Sequence, residues 1–555
     1  MTIVDLIFKD AKAERGKIFF AATAAGLANT LVLMLVNSAA QAPEKAGARA
    51  FFLFVVFIAT YVLAARYVFH RMTDIVEEIL YRIKCRIVEK VERAELSGFE
   101  RIGASEIYDR VTENATMISG AAGLVTNVLQ QAIIFTFAVL YIAWLSFPAF
   151  ALLALLIAAG LALYWSRSEG MGDLLKALAR TRLTFFDALT DLLKGFKEVK
   201  FSQARSSQVR ADITQSAALL RDVSRKANHL FDENFILASC NLFVLLGALA
   251  FVLPRHMQVE ASALSKLIAG VMFLWGPLQG VVSGYPAYVR SNQAIAEIEA
   301  LERKLDEAAG AAAVPDEHGE DPWKGNLGVI EARDVTYEYP RANGDGAFHI
   351  GPLNLSIQPG EIVFIVGGNG SGKSTFVKVL TGLYPPTGGT LRVGGVEVRS
   401  ENVAAYREMI TAIFSDFHLF AKAYGLIGID EGLVRRLLVQ MQLEGKTSFE
   451  GDRFTRRDLS TGQRKRLAMI VSLLEDRPIF VFDEWAADQD PEFRAYFYEE
   501  LLPSLKQRGK TVIAVSHDDR YFRCADRVIT MELGMIRSIE AGSSRPALVK
   551  SMNAE

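Results

Sequence analysis

Glu361-Ile362-Val363-Phe364-Ile365-Val366-Gly367-Gly368-Asn369-Gly370-Ser371-Gly372-Lys373-Ser374-Thr375 decides the fold. The apolar run 361–366 reads as a buried strand, and the pattern from Thr375 to Leu383 reads as a helix. Between them lies G-x4-G-K-S, in the strand-to-helix context that a phosphate-binding loop requires. Glycines let backbone N–H groups wrap a phosphate, and a helix N-terminus adds a favourable dipole. Lys373 would reach the β and γ phosphates of a nucleotide, and Ser374 would bind Mg²⁺.

Two further apolar runs end in chemistry. Ile479-Phe480-Val481-Phe482 runs into Asp483-Glu484, where Asp483 suits the Mg²⁺ side of such a site and Glu484 suits a general base for water. Thr511-Val512-Ile513-Ala514-Val515 ends in Ser516-His517, which places a histidine where it can meet a γ phosphate. Leu459-Ser460-Thr461-Gly462-Gln463 precedes a helical stretch from Arg464 to Glu475.

Outward from this half the chain changes character. It has 555 residues, is 51% hydrophobic and 22% charged, and carries a formal net charge of −2. That balance gives no basic footprint for nucleic acid. Three distant cysteines form neither a metal spacing nor a disulfide framework. Residues 18–43 and 114–166 contain no Asp, Glu, Lys or Arg. With runs near 50–69, 234–253 and 267–289 they predict six helices crossing about 30 Å of hydrocarbon. Ser146-Phe147-Pro148 is expected to turn between spans three and four. The sixth run, with Gly276, Pro277, Gly280, Gly284 and Pro286, predicts a kinked or closely packed helix. Residues 2–14 read as an interfacial amphipathic helix with Ile3, Leu6 and Ile7 against lipid. Eight Lys/Arg between Arg71 and Thr112, and twelve between Arg167 and Asn228, place both long loops and both termini in the cytoplasm. Arg66, inside the second run, is either functional or a snorkelling side chain near a helix end. Asp232 and Glu233 either draw in a cationic cargo or mark the lipid interface.

Taken together, the loop, the Leu-Ser-Thr-Gly-Gln signature, the acidic strand end and the histidine, in this order, closely resemble the ATPase domain of ABC transporters. The resemblance spans residues 328–540. It implies a C-terminal α/β ATPase domain over 328–545, behind an all-α six-helix transmembrane domain over 1–302 and a linker over 303–327, with a tail over 546–555. It implies that two chains sandwich two ATP molecules. ATP and Mg²⁺ would be held by Tyr339 on adenine, by Gly367, Asn369, Gly370, Ser371, Gly372, Lys373, Ser374 and Thr375, by Ser415, and by Asp483. Ser460, Thr461, Gly462, Gln463 and Asp490 would contact the partner's nucleotide in trans, and Glu484 and His517 would be catalytic. Two positions depart from the family pattern: Thr461 stands where Gly is usual, and Ser415 where Gln is usual. Turns near Gly98–Glu106 and Lys194–Gln203 would couple the spans to the ATPase domains.

Phe414-Ser415-Asp416-Phe417-His418-Leu419-Phe420 and Asp483-Glu484-Trp485-Ala486-Ala487-Asp488-Gln489-Asp490 are similar to the exporters of cyclic and siderophore peptides, the pyoverdine and syringomycin type. That resemblance implies a homodimeric half-transporter of the inner membrane, with lipid around it and a peptide-like small-molecule cargo moved out of the cytoplasm. A lipid or multidrug exporter, a siderophore importer and a membrane-bound regulatory ATPase stay open alongside it.

Overall fold

An uncharged stretch in lipid satisfies its backbone polar groups by becoming a helix, and the apolar runs do so. The computed structural model describes residues 2–10, 14–41, 47–168, 171–256, 261–309, 322–323, 327–339, 348–426 and 428–542. The tail 546–555 and most of the linker lie outside them. The chain divides into two compact units, residues 1–89 with 104–303, and residues 90–103 with 304–555.

The first unit is helical. Its elements are α1 (Ile3–Asp10), α2 (Arg15–Gln41) and α3 (Ala48–Arg93). The short α4 (Leu96–Ile102) belongs with the second unit. Then follow α5 (Ala115–Leu145), α6 (Phe147–Ser168), α7 (Met171–Lys194), α8 (Phe196–Lys200), α9 (Gln203–Gly247), α10 (Ala261–Phe273) and α11 (Trp275–Ala309). Among the described residues, five helices are long and apolar enough to cross a membrane, within Arg15–Ala40, Ala48–Arg93, Ala104–Leu145, Gln203–Arg255 and Leu264–Ala309. The fourth expected span contributes a shorter apolar helix, Phe147–Gly160. Ser146 is extended and separates α5 from α6, as the Phe-Pro turn requires.

Leu242, Leu245, Leu249, Leu267, Val271 and Leu274 pack with Ala138, Ile142, Ala149 and Leu153 into one core. Small residues set the closest approaches, as they do where apolar burial alone cannot drive helices together. A Cβ on Gly280 would lie 2.6 Å from Gln131 Cγ, and one on Gly284 would overlap Val128 Cγ2. The sixth run is also interrupted, since α10 ends at Phe273 and α11 starts at Trp275. Buried Asn37 donates to Tyr141 Oη at 3.3 Å and to the Lys266 carbonyl at 3.4 Å. Arg66 lies on the exposed side of α3.

One expectation is overturned here. Ile3 and Ile7 of α1 are buried inside the protein and do not face outward. The Ile3 N–H donates to Asn292 Oδ1 at 2.8 Å, Asp10 pairs with Arg82 at 2.6 Å, and Glu14 pairs with Arg71. These polar anchors to α3 and α11 turn the apolar face of α1 toward protein.

The second unit contains two large sheets and a two-stranded antiparallel ribbon, Phe449–Glu450 with Arg453–Phe454. Strands β1 (Ile330–Glu338), β2 (His349–Ile357), β4 (Gly388–Val393) and β5 (Val396–Glu397) form an antiparallel sheet in the order β2-β1-β4-β5. The other sheet has β3 (Ile362–Gly367), β6 (Ile410–Ile413), β7 (Ile479–Asp483), β8 (Thr511–Val515), β9 (Arg527–Glu532) and β10 (Met535–Ala541). Their order is β10-β9-β3-β8-β7-β6, parallel except for the β9-β10 pair. All five residues of β7 and of β8 are buried, as expected for strands covered on both faces. Phe364, Phe480, Phe482 and Ala514 enter one core, whereas Val363, Ile365, Val481 and Ile513 enter the other. The C-terminal ends of β3, β8 and β7 therefore lie side by side, and ligands bind at such ends in α/β sheets.

Candidate functional site

The loop after β3 turns through residues only glycine adopts freely. Gly367 has φ 152° and Gly370 has φ 77°. Helix α12 (Lys373–Leu380) follows directly. Lys373 is buried, and its ammonium donates to the carbonyls of Gly367 at 3.1 Å and Gly368 at 2.9 Å. Burial pushes its pKa down, with the charges of Glu484 and Asp483 opposing. Ser371 Oγ is buried without a hydrogen-bond partner.

Asp483 ends β7, and its Oδ1 is likewise buried and unpartnered. Burial pushes its carboxyl up, and the Glu484 charge adds to this. The Ser415 and Ser374 groups facing it pull the other way. An orphaned carboxylate oxygen beside a serine hydroxyl is a hard-oxygen donor set that suits Mg²⁺. Glu484 follows in the left-handed region at φ 51° and ψ 35°. His517, just past β8, places Nε2 3.0 Å from Glu484 Oε1. Lys373, His517, Asp483 with Glu484, and Ser415 thus cluster at the ends of four neighbouring strands, β3, β8, β7 and β6.

Tyr339 lies next to the same loop. Its hydroxyl shares a 3.0 Å hydrogen bond with Thr375 Oγ1. Its ring meets Tyr384 edge-on at 5.9 Å and Tyr337 at 5.3 Å. Tyr384 also stacks on Tyr337 at 4.7 Å. This arrangement leaves an aromatic platform anchored at the start of α12.

The signature residues are not joined to this cluster. Ser460 caps α13 (Thr461–Glu475) in a capping box: it accepts from the Gln463 N–H at 3.4 Å, and Gln463 Oε1 accepts from the Ser460 N–H at 3.3 Å. Ser460 and Thr461 are exposed. Among the described residues, no hydrogen bond or ion pair links 460–463 to 367–375. Asp490 caps the helix Pro491–Tyr496 by accepting from the Phe493 N–H at 2.8 Å, and it pairs with Arg466. Both contacts hold its carboxyl below the usual range.

Sequence reading missed several neighbours. Lys465 is buried against the loop after β7, and Arg466 stacks on Phe493 with its guanidinium carbon 3.7 Å from the ring centre. Helical spacing behind Ser460 points both inward, which was the available signal. Glu100 of α4 pairs with Lys378 at 2.8 Å and accepts from Tyr384 Oη, and Glu95 pairs with Arg407 at 2.9 Å. Leu96 packs on the core below. The other expected turn, at α8, exposes Phe196 and Phe201.

The profile of the ABC transporter family matches residues 350–487, which include the loop, the signature and the acidic strand end. The chain is 34% identical over 476 residues to the ATP-binding protein SyrD of Pseudomonas syringae pv. syringae, covering 83% of this chain and 82% of SyrD. It is 26% identical over 490 residues to the ATP-dependent lipid A-core flippase of Alkalilimnicola ehrlichii, covering 84% and 79%. A bacterial Atm1-family ABC exporter solved with ATP bound shares the fold, with a TM-score of 0.75, 18% identity, and coverage of 96% of this chain and 95% of that one. The nucleotide cluster, the apolar helices ahead of it and a relative of this identity over most of its length lead to one conclusion: the chain belongs to the ABC transporter family, as a multi-pass membrane half-transporter whose ATPase domain binds ATP and couples its hydrolysis to transport.

Proposed function

We propose that the chain exports a cyclic or otherwise modified peptide, or a siderophore precursor, from the cytoplasm as a homodimer in the inner membrane. The observation that carries the ATPase half is the cluster of Lys373, Asp483 with its one orphaned carboxylate oxygen, and the 3.0 Å Glu484–His517 pair at neighbouring strand ends. Lys373 and the loop N–H groups bind phosphate. Ser374 and Asp483 would hold Mg²⁺, which supplies charge neutralisation on the phosphates. Glu484 takes the proton of the attacking water, and His517 orients Glu484 and meets the γ phosphate. Tyr339 stacks on adenine. Ser415 is too short to span metal and water together, and its place is beside Asp483.

Homodimerisation is supported by the separation of Ser460–Gln463 from 367–375 within one chain. A second copy supplies the exposed N-terminus of α13, with Ser460, Thr461, Gly462 and Gln463, as the anion site in trans, and Asp490 beside it. The six-span arrangement, with α6 as the fourth span and with cytoplasmic termini, is supported by the loop charges.

The peptide cargo is supported by the motifs around Ser415 and Trp485 and by the identity to SyrD. A lipid cargo is the second reading, favoured by similarity to lipid A-core flippases over most of the chain. ATP-dependent accumulation in inverted vesicles separates them. Vesicles with wild type or Glu484→Gln are incubated with extract of the producing cell, and trapped compounds are identified by mass spectrometry. A peptide trapped by wild type alone supports the proposal. Lipid flipping without peptide uptake, or no transport despite ATPase activity, overturns it.

A further inference from the structure

Helix α13 reaches back into the loop that carries Glu484. The Lys465 side chain is 3% exposed, and its ammonium donates to the Glu484 carbonyl at 2.8 Å and pairs with Asp488 at 2.7 Å. The Lys465 carbonyl accepts from Trp485 Nε1 at 3.0 Å. Gln489 Nε2 donates to the Gly462 carbonyl at 3.2 Å, and Arg466 Nε donates to Gln489 Oε1 at 2.8 Å. A Cβ on Gly462 would lie 2.6 Å from the Asp488 carbonyl. Residues 462–466 and 484–490 therefore form one block, closed from both sides by side chain and backbone.

The block has a consequence for Glu484. A residue with a Cβ adopts φ 51° only when its surroundings hold it there. Trp485, fully buried, fixes the chain on one side of that residue. The buried ammonium fixes its carbonyl, and the carboxylate then lies on His517. Burying an ammonium is unfavourable unless it is paired. Asp488 supplies the pairing charge from a position 47% exposed, so the pair sits at the edge of the loop and not deep in the core. A methionine would fill the same space without that demand.

We propose that Lys465 is a positioning residue for Glu484, setting the backbone of the general base from the signature helix. The proposal rests on the reading of Glu484 as the base. It assigns to Lys465 no contact with ATP. Its removal should slow turnover while leaving nucleotide affinity unchanged, because Lys373, Ser374 and Tyr339 are untouched.

The test uses the full chain in lipid nanodiscs. Steady-state ATPase rates against ATP concentration, binding of a fluorescent ATP analogue and thermal midpoints are measured for wild type, Lys465→Met, Lys465→Arg, Asp488→Asn and Glu484→Gln. The expected result is a kcat at least tenfold lower in Lys465→Met, with half-saturation and analogue binding within twofold of wild type. Lys465→Arg should recover part of the loss. A kcat within twofold of wild type in Lys465→Met overturns the proposal. If Lys465→Met also melts early or binds poorly, Asp488→Asn decides: reduced kcat at normal affinity supports the proposal, and wild-type kcat overturns it. If Glu484→Gln still hydrolyses ATP, the assignment of the base fails and the proposal falls with it. If Glu484→Gln is inactive and the lysine variants are normal, the lysine alone is refuted.

Discussion

The Lys378 ammonium lies 2.8 Å from the Glu100 carboxylate, across 278 residues of sequence. Lys378 is one turn along α12 from Ser374, and it also donates to Tyr384 Oη at 3.1 Å. Tyr384 touches Tyr339, which is bonded to Thr375. The short helix α4 is thus tied, through one ion pair and two tyrosines, to the start of the phosphate-binding loop's helix. Glu100→Ala should leave basal ATP hydrolysis within twofold, because no group of the Lys373 cluster is altered. It should reduce cargo-stimulated hydrolysis at least fivefold. ATPase rates with and without cargo check this.

Lys373→Ala should lower ATP affinity more than tenfold, because the loop loses its only buried ammonium among the described residues. Glu484→Gln should keep ATP affinity and lower turnover by roughly 10²-fold or more, the range for a general base. Equilibrium nucleotide binding alongside single-turnover hydrolysis separates the two effects.

Gly284→Val should destabilise the helical unit by about 1–3 kcal/mol, the range for overpacking. The new side chain meets Val128 on α5. Val128→Gly in the same chain should restore much of the loss. Thermal midpoints of the single and double variants in detergent provide the measurement, and additive losses would contradict the contact.

Trp485→Ala should cost about 3–5 kcal/mol, as for other buried aromatics. Trp485 stacks on Phe497 at 4.5 Å and donates to the Lys465 carbonyl. Trp485→Phe should lose less, since it keeps most of the packing and forfeits the indole bond. Denaturant midpoints of the two variants rank the contributions.

Asp490 is held below the usual carboxylate range by the Phe493 N–H and by Arg466. Its folded pKa is lower than its unfolded value, so its contribution is complete above about pH 4 and fades as pH falls through the folded value. The stability gap between wild type and Asp490→Asn should therefore be larger at pH 6 than at pH 3. Half exposure of the side chain keeps the gap small. Urea midpoints at the two pH values check the sign.

Much of this protein was legible in its residues. A glycine-rich loop between a strand and a helix has one stable reading, because φ values near 77° and 152° admit little else. Runs without charge declare helices for lipid because the backbone has no other way to satisfy itself there. The strand ends at Asp483, Glu484 and His517 followed from apolar runs short enough to be buried strands.

Other features depended on distance in space. Nothing in the spacing of Glu100 and Lys378, or of Lys465 and Glu484, announces that they meet, because a side-chain contact is set by how elements pack and not by their local patterns. The amphipathic pattern of α1 pointed to lipid. Anchors at Asn292, Arg82 and Arg71 decided for protein. Local sequence thus determined which elements form and which chemistry each one carries, since dihedral limits and hydrophobic period act over a few residues. Tertiary structure alone decided which of those elements hold one another in place, since burial and ion pairing act between residues that only the completed fold brings together.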